Sequence, residues 1–110
     1  MVKIEFYPQF AIQLKEIKAY LLKELQSHQA SQNFEKLLAH KIKMLYHAPE
    51  LGQRLEYIIP DLSNQFMNYY KLQVKNYLII YQYLETENLV VVYYIFHSKQ
   101  NYQKLFFNDV

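Results

Sequence analysis

Cysteine is absent from this chain of 110 residues, and glycine and arginine occur once each. Without cysteine the chain has no disulfide framework and no thiolate chemistry, which fits a cytosolic protein. Its apolar runs fall far short of the ~20 residues that span a bilayer. The first residues carry charges where a secretory signal needs an apolar stretch, so we expect a cytoplasmic protein with no membrane partner.

The composition bounds the remaining possibilities. The chain is 52% hydrophobic and 17% aromatic, almost all of the aromatics being tyrosine, so it is not a disordered segment. Its length predicts one domain over residues 1–110. The net charge of +2 is too small to indicate nucleic-acid binding and does not exclude it, since a local basic patch is sufficient.

Two amphipathic helices are predicted after a short N-terminal strand. Residues 3–7 alternate as a strand does, and Pro8 ends that pattern. Apolar residues then recur at three- and four-residue steps, first in residues 10–25 and again in residues 34–45. The polar residues 27–32 separate the helices, with Ser31 as the expected N-cap of the second. Pro49 ends the second helix.

Three strands are predicted in the last third of the chain, at residues 69–74, 77–84 and 89–96. The third is a run of eight apolar residues, as expected of a strand buried on both faces. Lys75 and Asn76 form the first hairpin connection, and we expect the positive φ at Asn76. Residues 50–68 predict a loop with a short strand or turn, and the tail a short helical turn. The fold class is therefore α+β, in the order β-α-α-β-β-β, with an antiparallel sheet and an N-terminal helical hairpin on one face.

With this order, four phrases resemble the RelE/ParE superfamily of bacterial type II toxins over nearly the whole chain. The first is Ile-Glu-Phe-Tyr-Pro from Ile4 onward, followed by the striped helix. The second is Pro-Glu-Leu-Gly-Gln-Arg, which runs from Pro49 to Arg54. The third joins Tyr-Lys-Leu at Tyr70 to the Asn-Tyr hairpin. The fourth is His-Ser-Lys-Gln-Asn-Tyr, beginning at His97, close to the family's His-x-Arg-Gln-Asp-Tyr ending.

The resemblance implies the toxin of a toxin–antitoxin pair of the kind linked to plasmid stabilization, neutralised by a cognate antitoxin. It leaves two mechanisms open, because fold alone does not decide function. RelE-like members are endoribonucleases that cut messenger RNA on the ribosome, without a metal or other cofactor. ParE-like members poison DNA gyrase without catalysis.

For RNA cleavage the resemblance implies a basic cleft around His97. We expect His97 to act as general acid or base, and the alternative is a hydrogen-bonded residue at a strand end. Lys71, Lys99 and Arg54 are candidates for holding phosphate, and each has a surface role as its alternative. Tyr102 is a candidate for base stacking or proton donation, against simple tail packing. Asn101 stands where the family has Asp and brings no charge.

The chain departs from the family at its arginines. The family often has arginine where this chain has Tyr70 and Leu78, and its terminal arginine is Lys99 here. These departures weaken the nuclease hypothesis and motivate a third one, a degenerate, non-toxic scaffold that binds antitoxin. The remaining His and Lys cluster nevertheless tips the sequence interpretation slightly toward RNA.

The other expectations concern metals and partners. His28, His40 and His47 have no ligand spacing, so no zinc site is predicted. The antitoxin is expected to place an acidic, helical segment across the helical hairpin or the sheet edge. For a gyrase poison, the helix face with Lys15, Lys18 and Lys23 is a candidate contact.

Overall fold

The structure, a computed structural model, describes residues 1–24, 26–55 and 68–99. Strand β1 spans Lys3–Phe6 and helix α1 spans Pro8–Lys23, so the predicted strand and first helix are confirmed. Pro8 opens α1, where its missing N–H costs nothing because the first helical N–H groups have no helical acceptor. Leu25 of the predicted stripe lies outside the described residues.

Helix α2 spans His28–Leu45 and begins earlier than the sequence predicts. Its N-cap is Ser27, whose hydroxyl accepts from the Ala30 N–H at 3.1 Å. The prediction of Ser31 as N-cap is wrong, because Ser31 is buried inside the helix. Residues 28–32 are not a break but the start of α2, where residues 28, 29 and 32 are exposed and Ser31 is buried. The last helical hydrogen bond joins Ala48 to Met44, directly before Pro49.

The two helices form the predicted hairpin. The Lys18 Nζ of α1 and the Glu35 Oε1 of α2 are 2.6 Å apart. Phe10, near the start of α1, lines the same groove as Ile42, near the end of α2. The helices therefore run antiparallel. The ion pair is partly exposed on both sides, so apolar packing contributes more than this pair to the contact.

The sheet has five strands in the order β1-β5-β4-β3-β2. Strands β3 (Tyr69–Val74), β4 (Tyr77–Leu84) and β5 (Leu89–His97) form the predicted antiparallel meander. Strand β2 (Gln53–Arg54) is the short strand expected in the loop of residues 50–68 after the second helix, and it pairs with β3. Strand β1 pairs with β5 in parallel, so the sheet is mixed. The predicted order and the layering of helices on one face are confirmed.

The turn between β3 and β4 differs from the prediction in one detail. The positive φ of 57° belongs to Lys75, and Asn76 is not among the residues with positive φ. A two-residue hairpin needs a left-handed residue at its first loop position in both common turn types, and here that position holds lysine. The second connection is a short 3₁₀ turn, Glu85–Glu87, which ends at Asn88 with φ of 52°.

A β-bulge divides β5 into two halves. Ile80 pairs with Tyr94 and Tyr81 pairs with Val92, so Tyr93 has no partner in the ladder. Side chains alternate along a strand, and one extra residue shifts that alternation. Val92 and Ile95, three residues apart, consequently lie in the same apolar cluster.

The two faces of the sheet carry separate apolar clusters. We call the side under α1 and α2 the helix face; its core includes the fully buried Tyr81, Val92 and Ile95 together with Phe10 and Phe34 from the helices. The opposite side, the second face, holds a smaller cluster of Leu55, Leu78, Ile80 and Phe96. Any site on this sheet must therefore be assigned to one face.

Candidate functional site

A cleft of about 750 Å³ lies between α1 and the end of the sheet where β5 finishes. Its volume falls within the range of small-ligand sites. The wall on the helix side includes Gln13, Glu16 and Tyr20, and the sheet side includes Lys75, Tyr77, Ile95, His97 and Lys99. The cleft thus joins aromatic, cationic and carboxylate groups.

The cleft exists because β1 is shorter than β5. Strand β1 pairs with β5 only as far as Val92. Beyond that point a helix side chain replaces the missing strand, since the Ile95 N–H donates to Gln13 Oε1 at 2.8 Å. Helix α1 therefore crosses the open edge of β5 and leaves space beside it.

His97 ends β5, as predicted, and lies in this cleft with Lys99. The Lys99 backbone N–H donates to His97 Nδ1 at 3.1 Å. A nitrogen that accepts a hydrogen bond carries no proton, so the neutral ring holds its proton on Nε2. The Tyr77 ring contacts the imidazole edge-on, with centroids 5.4 Å apart, and limits its rotation.

Lys71 does not share the cleft. It pairs with Ile80, which belongs to the second-face cluster, whereas its neighbours Tyr70 and Leu72 belong to the helix-face core. Lys71 therefore points away from His97, which pairs with Tyr77 on the helix face.

Arg54 is on the helix face but at the far edge of the sheet. It pairs with Tyr70, and three strand spacings and four residues of strand separate its backbone from that of His97. Strand geometry makes this about 20 Å in all. Of the five candidates, the structure brings together His97 and Lys99, and it does not bring Lys71 or Arg54 to them. Tyr102, like Asn101, lies outside the described residues.

Three cleft residues were missed by the sequence interpretation: Glu16, Tyr20 and Lys75. The position of Lys75 was predictable from the sequence. The two-residue turn between β3 and β4 directly precedes Tyr77, and the antiparallel pairing of β4 with β5 sets Tyr77 opposite His97. The turn that holds Lys75 therefore lies beside the end of β5. Glu16 and Tyr20 gave no such signal, since their placement depends on the angle at which α1 crosses β5.

The two positions where the family often has arginine are part of the core. Tyr70 is 3% exposed, and its ring stacks on that of Tyr81 with centroids 5.1 Å apart. Leu78 is 5% exposed and packs with Ile80 and Phe96 in the second-face cluster. Both side chains therefore serve packing in this chain.

The Pro-Glu-Leu-Gly phrase has a structural explanation at Gly52. Its N–H donates to the Tyr81 hydroxyl at 2.8 Å, and a Cβ there would lie 2.5 Å from the Lys71 carbonyl oxygen. Only a residue without a side chain lets the loop approach β3 so closely. Burial raises the pKa of the Tyr81 hydroxyl well above its ordinary value, with the Gly52 hydrogen bond opposing that shift.

Four tyrosines form a ring cluster around the bulge. Tyr93 contacts Tyr7, Tyr69 and Tyr94 with centroids 4.7, 5.6 and 6.2 Å away, and its hydroxyl donates to Gln82 Oε1. Desolvation, followed by the neighbouring Tyr69, raises the pKa of Tyr93. Desolvation, followed by the neighbouring Tyr20, raises the pKa of Tyr77 in the cleft.

The described ranges hold neither a metal cluster nor a membrane-spanning helix. Within them, no three His, Cys, Asp or Glu side chains gather as a metal site requires. No helix in that part of the chain has the length and apolar character to cross a membrane.

Comparisons with known proteins place the chain beside bacterial toxins. The profile of the family described as ParE toxin of type II toxin–antitoxin system, parDE, matches residues 4–102. The isolated RelE toxin of E. coli superposes with a TM-score of 0.58 at 11% identity over 100% of both chains. A chain of the intact E. coli RelBE toxin–antitoxin complex gives 0.56 at 12%, covering 91% of this chain and 100% of that one. At such identities these two likenesses show the fold alone. No curated protein is significantly similar to the chain.

Proposed function

Because the chain belongs to the ParE toxin family of type II toxin–antitoxin systems, we propose that it arrests bacterial growth by binding its target, as ParE-like toxins do with DNA gyrase. In this proposal the protein is not an enzyme and acts in the cytoplasm. Its activity is held in check by a cognate antitoxin.

The observation that carries this choice is the burial of Tyr70 and Leu78. A ribonuclease of the RelE kind needs cations around the scissile phosphate to stabilise the charge that develops there. At both positions this chain has core side chains, each less than a tenth exposed. Lys71 and Arg54, the other cationic candidates, point to different faces and edges of the sheet. This dispersal supports binding over catalysis.

The surface of α1 offers a contact for the target. Lys15 and Lys23 are exposed on this helix, whereas Lys18 is paired with Glu35. We propose that the two exposed lysines contribute to target binding. Because such charges act mainly on association rate and are screened by salt, their loss should weaken target binding most at low salt and least at high salt.

The antitoxin has a fitting surface on the helical hairpin. A groove of about 420 Å³ between α1 and α2 is lined by apolar side chains, including Phe10, Leu14 and Leu38, and also by Lys43 and the Lys18–Glu35 ion pair. Phe6 at one end of it is 48% exposed. An amphipathic helix with acidic flanks suits an apolar groove with lysines at its edge. We propose this as the antitoxin's contact.

A second candidate function, RNA cleavage, is favoured by the contact of Lys99 with His97 in the cleft. In that mechanism a ribose 2′ oxygen loses its proton to water and bonds to phosphorus, and the 5′ oxygen leaves with the proton that His97 donates from Nε2. Lys99 would offset the phosphorane charge, and Tyr102 is the proposed stacking or proton-donating residue. Lys71 and Arg54 keep only the resemblance as support.

The test is induction of the chain alone in bacteria, beside His97→Ala and the exposed control His40→Ala. The binding proposal expects growth arrest, an SOS response and intact messenger RNA with all three proteins. Circular dichroism and recovery of the antitoxin complex confirm that each variant is folded.

Two results would contradict the proposal. Cleaved messenger RNA without an SOS signal, cured by His97→Ala and not by His40→Ala, would establish the nuclease. Absence of arrest with a folded protein that still binds antitoxin would leave the scaffold hypothesis.

A further inference from the structure

Strand β1 is an edge of the sheet, and no described strand lies along its outer side. It comes first in the strand order and, among the described residues, pairs with β5 alone. The Lys3 N–H donates to the Asn88 carbonyl at 3.0 Å, so it points inward, toward β5. Backbone groups alternate in direction along a strand, so the N–H and C=O groups of Ile4 and Phe6 point outward. An edge of this kind is a template for a further strand.

Helix α2 closes one end of this edge. The Val2 N–H donates to the carbonyl of Tyr46, the C-cap of α2, at 3.3 Å. The Val2 C=O points outward, because the N–H of the same peptide unit belongs to Lys3 and points inward. The groups that a neighbouring strand can use are therefore the Val2 C=O and the N–H and C=O groups of Ile4 and Phe6.

The side chains of β1 alternate between charged and apolar. Ile4 packs against the helix-face core, and Phe6 contacts Phe10 on the same side. Lys3 and Glu5 consequently lie on the second face. Both are exposed, and neither forms an ion pair with a described residue. Opposite charges on either side of Ile4 make the strand complementary to a reversed copy of itself.

One register of two antiparallel β1 strands suits these charges. With Ile4 opposite Ile4 of a second copy, Lys3 of each copy faces Glu5 of the other. Opposite charges in such positions are stabilising and like charges are destabilising. A shift of two residues sets Lys3 against Lys3 or Glu5 against Glu5. A shift of one residue turns the side chains to the wrong face of the sheet.

The same register matches the backbone groups. Each Ile4 N–H meets the Ile4 C=O of the other copy, and each Phe6 N–H meets the Val2 C=O. The Val2 N–H stays with its Tyr46 acceptor. The Phe6 side chain, 48% exposed in the single chain, then lies beside Val2 of the other copy and becomes covered. Both copies use the same surface, as a two-fold axis requires.

We propose that this chain forms a symmetric dimer through its β1 edges, in which two five-stranded sheets join into one. A second copy is the occupant because the charges of β1 complement β1 itself. Four-residue strands bury less than the ~800 Å² per partner of a stable interface, so we expect a dissociation constant of roughly 10–100 μM. The inference rests on β1 and holds whichever target the toxin has.

The experiment is analytical ultracentrifugation of the chain, made by cell-free synthesis, from about 1 μM to about 1 mM, which brackets that constant. Lys3→Glu and Glu5→Lys should each raise the dissociation constant about tenfold, since each makes two attractive pairs repulsive. An equimolar mixture of the two variants should dimerise again, because an acidic β1 then faces a basic one. Lys36→Glu, at an exposed position of α2, is the matched control and should leave the constant unchanged. Circular dichroism confirms that each variant is folded.

Amide hydrogen exchange locates the interface independently of affinity. The amides of Ile4 and Phe6 should be protected above the dissociation constant and exchange freely below it. Those of Lys3 and Tyr7 donate to the carbonyls of Asn88 and Val92 within the chain, so they should be protected at both concentrations.

Four outcomes would overturn the proposal. One is a folded chain that stays monomeric to about 1 mM. Another is a dimer that Lys3→Glu and Glu5→Lys leave unchanged. The third is a mixture of these two folded variants that does not dimerise. The fourth is protection of the Ile4 and Phe6 amides only after the antitoxin is added, since the edge would then belong to an antitoxin strand.

Discussion

At the scale of single residues, Gly52 shows how a phrase in the sequence becomes a contact. The phrase is recognisable without a structure, but its reason is the approach of the loop to the Lys71 carbonyl and the Tyr81 hydroxyl. Those partners are far apart in the chain, so no local pattern predicts them.

Gly52→Ala should destabilise the fold. Its methyl group would meet the Lys71 carbonyl oxygen at 2.5 Å, and moving the loop away would break the hydrogen bond to Tyr81. We expect a loss of about 2 kcal/mol in the free energy of unfolding, as in other overpacked sites. Urea denaturation measures it. Gln53→Ala, at the exposed neighbouring position, should lose less than half as much, and equal losses would show that the close approach is unimportant.

The candidate site was predictable in the same uneven way. His97 and Lys99 were found because a strand end presents its residues together. Lys71 and Arg54 were grouped with them by resemblance, and the period of two along β3 and the sheet order separate them in space. A sequence shows that side chains alternate between the two faces along one strand. It does not show which residues of each strand face the helices.

At the scale of elements, the strands β3, β4 and β5 were predicted to within one residue, because long β-branched and aromatic runs between short polar turns have few other solutions. The start of α2 was missed. Ser27 and Ser31 lie near the two ends of the polar stretch, and either is a possible N-cap. Which of them caps the helix depends on whether Ser31 is already part of it. Ser31 is buried and its N–H donates to the Ser27 carbonyl within the helix, so the helix begins before it.

Ser27→Ala should therefore destabilise α2, while Ser31→Ala should not. Loss of the cap leaves the Ala30 N–H without its acceptor, at a cost of about 1 kcal/mol. Ser31→Ala replaces a helix-interior serine by the best helix former and should be neutral or slightly stabilising. Thermal unfolding followed by circular dichroism compares the two. A larger loss at Ser31 would contradict the assignment of the cap.

At the scale of the whole molecule, tyrosine shares the core with the usual aliphatic side chains, since Tyr70, Tyr77 and Tyr81 are buried among valine, leucine and isoleucine. The chain has twelve tyrosines, and burial raises the pKa of Tyr77, Tyr81 and Tyr93. An unfolded chain ionises its tyrosines near pH 10, whereas these three hold their protons in the fold. Their contribution to stability is complete below pH 10 and is lost as the pH rises above it.

The free energy of unfolding should fall above about pH 10 by up to 1.4 kcal/mol per pH unit for each such tyrosine. Tyr81→Phe should lower stability at neutral pH, because the Gly52 N–H loses its acceptor, and should also make the alkaline slope shallower. Urea denaturation across the alkaline range gives both quantities. Tyr46→Phe, at a partly exposed tyrosine that is not among the causes of these three shifts, should keep the wild-type slope, and a shallower slope there would mean that the three buried tyrosines do not set it.

The bulge at Tyr93 also bears on how far a motif can be transferred between relatives. Its extra residue sets His97 on the helix face, in phase with Ile95 and out of phase with Val91. A relative with the same closing motif but an unbroken fifth strand presents its histidine to the opposite side of the sheet, in a different chemical environment. Deleting one residue here inverts the histidine's orientation without changing a letter of the motif. Aligning the motif across the family therefore identifies the histidine but does not fix the face of the sheet on which it lies. The number of residues in the strand before the motif has to match as well.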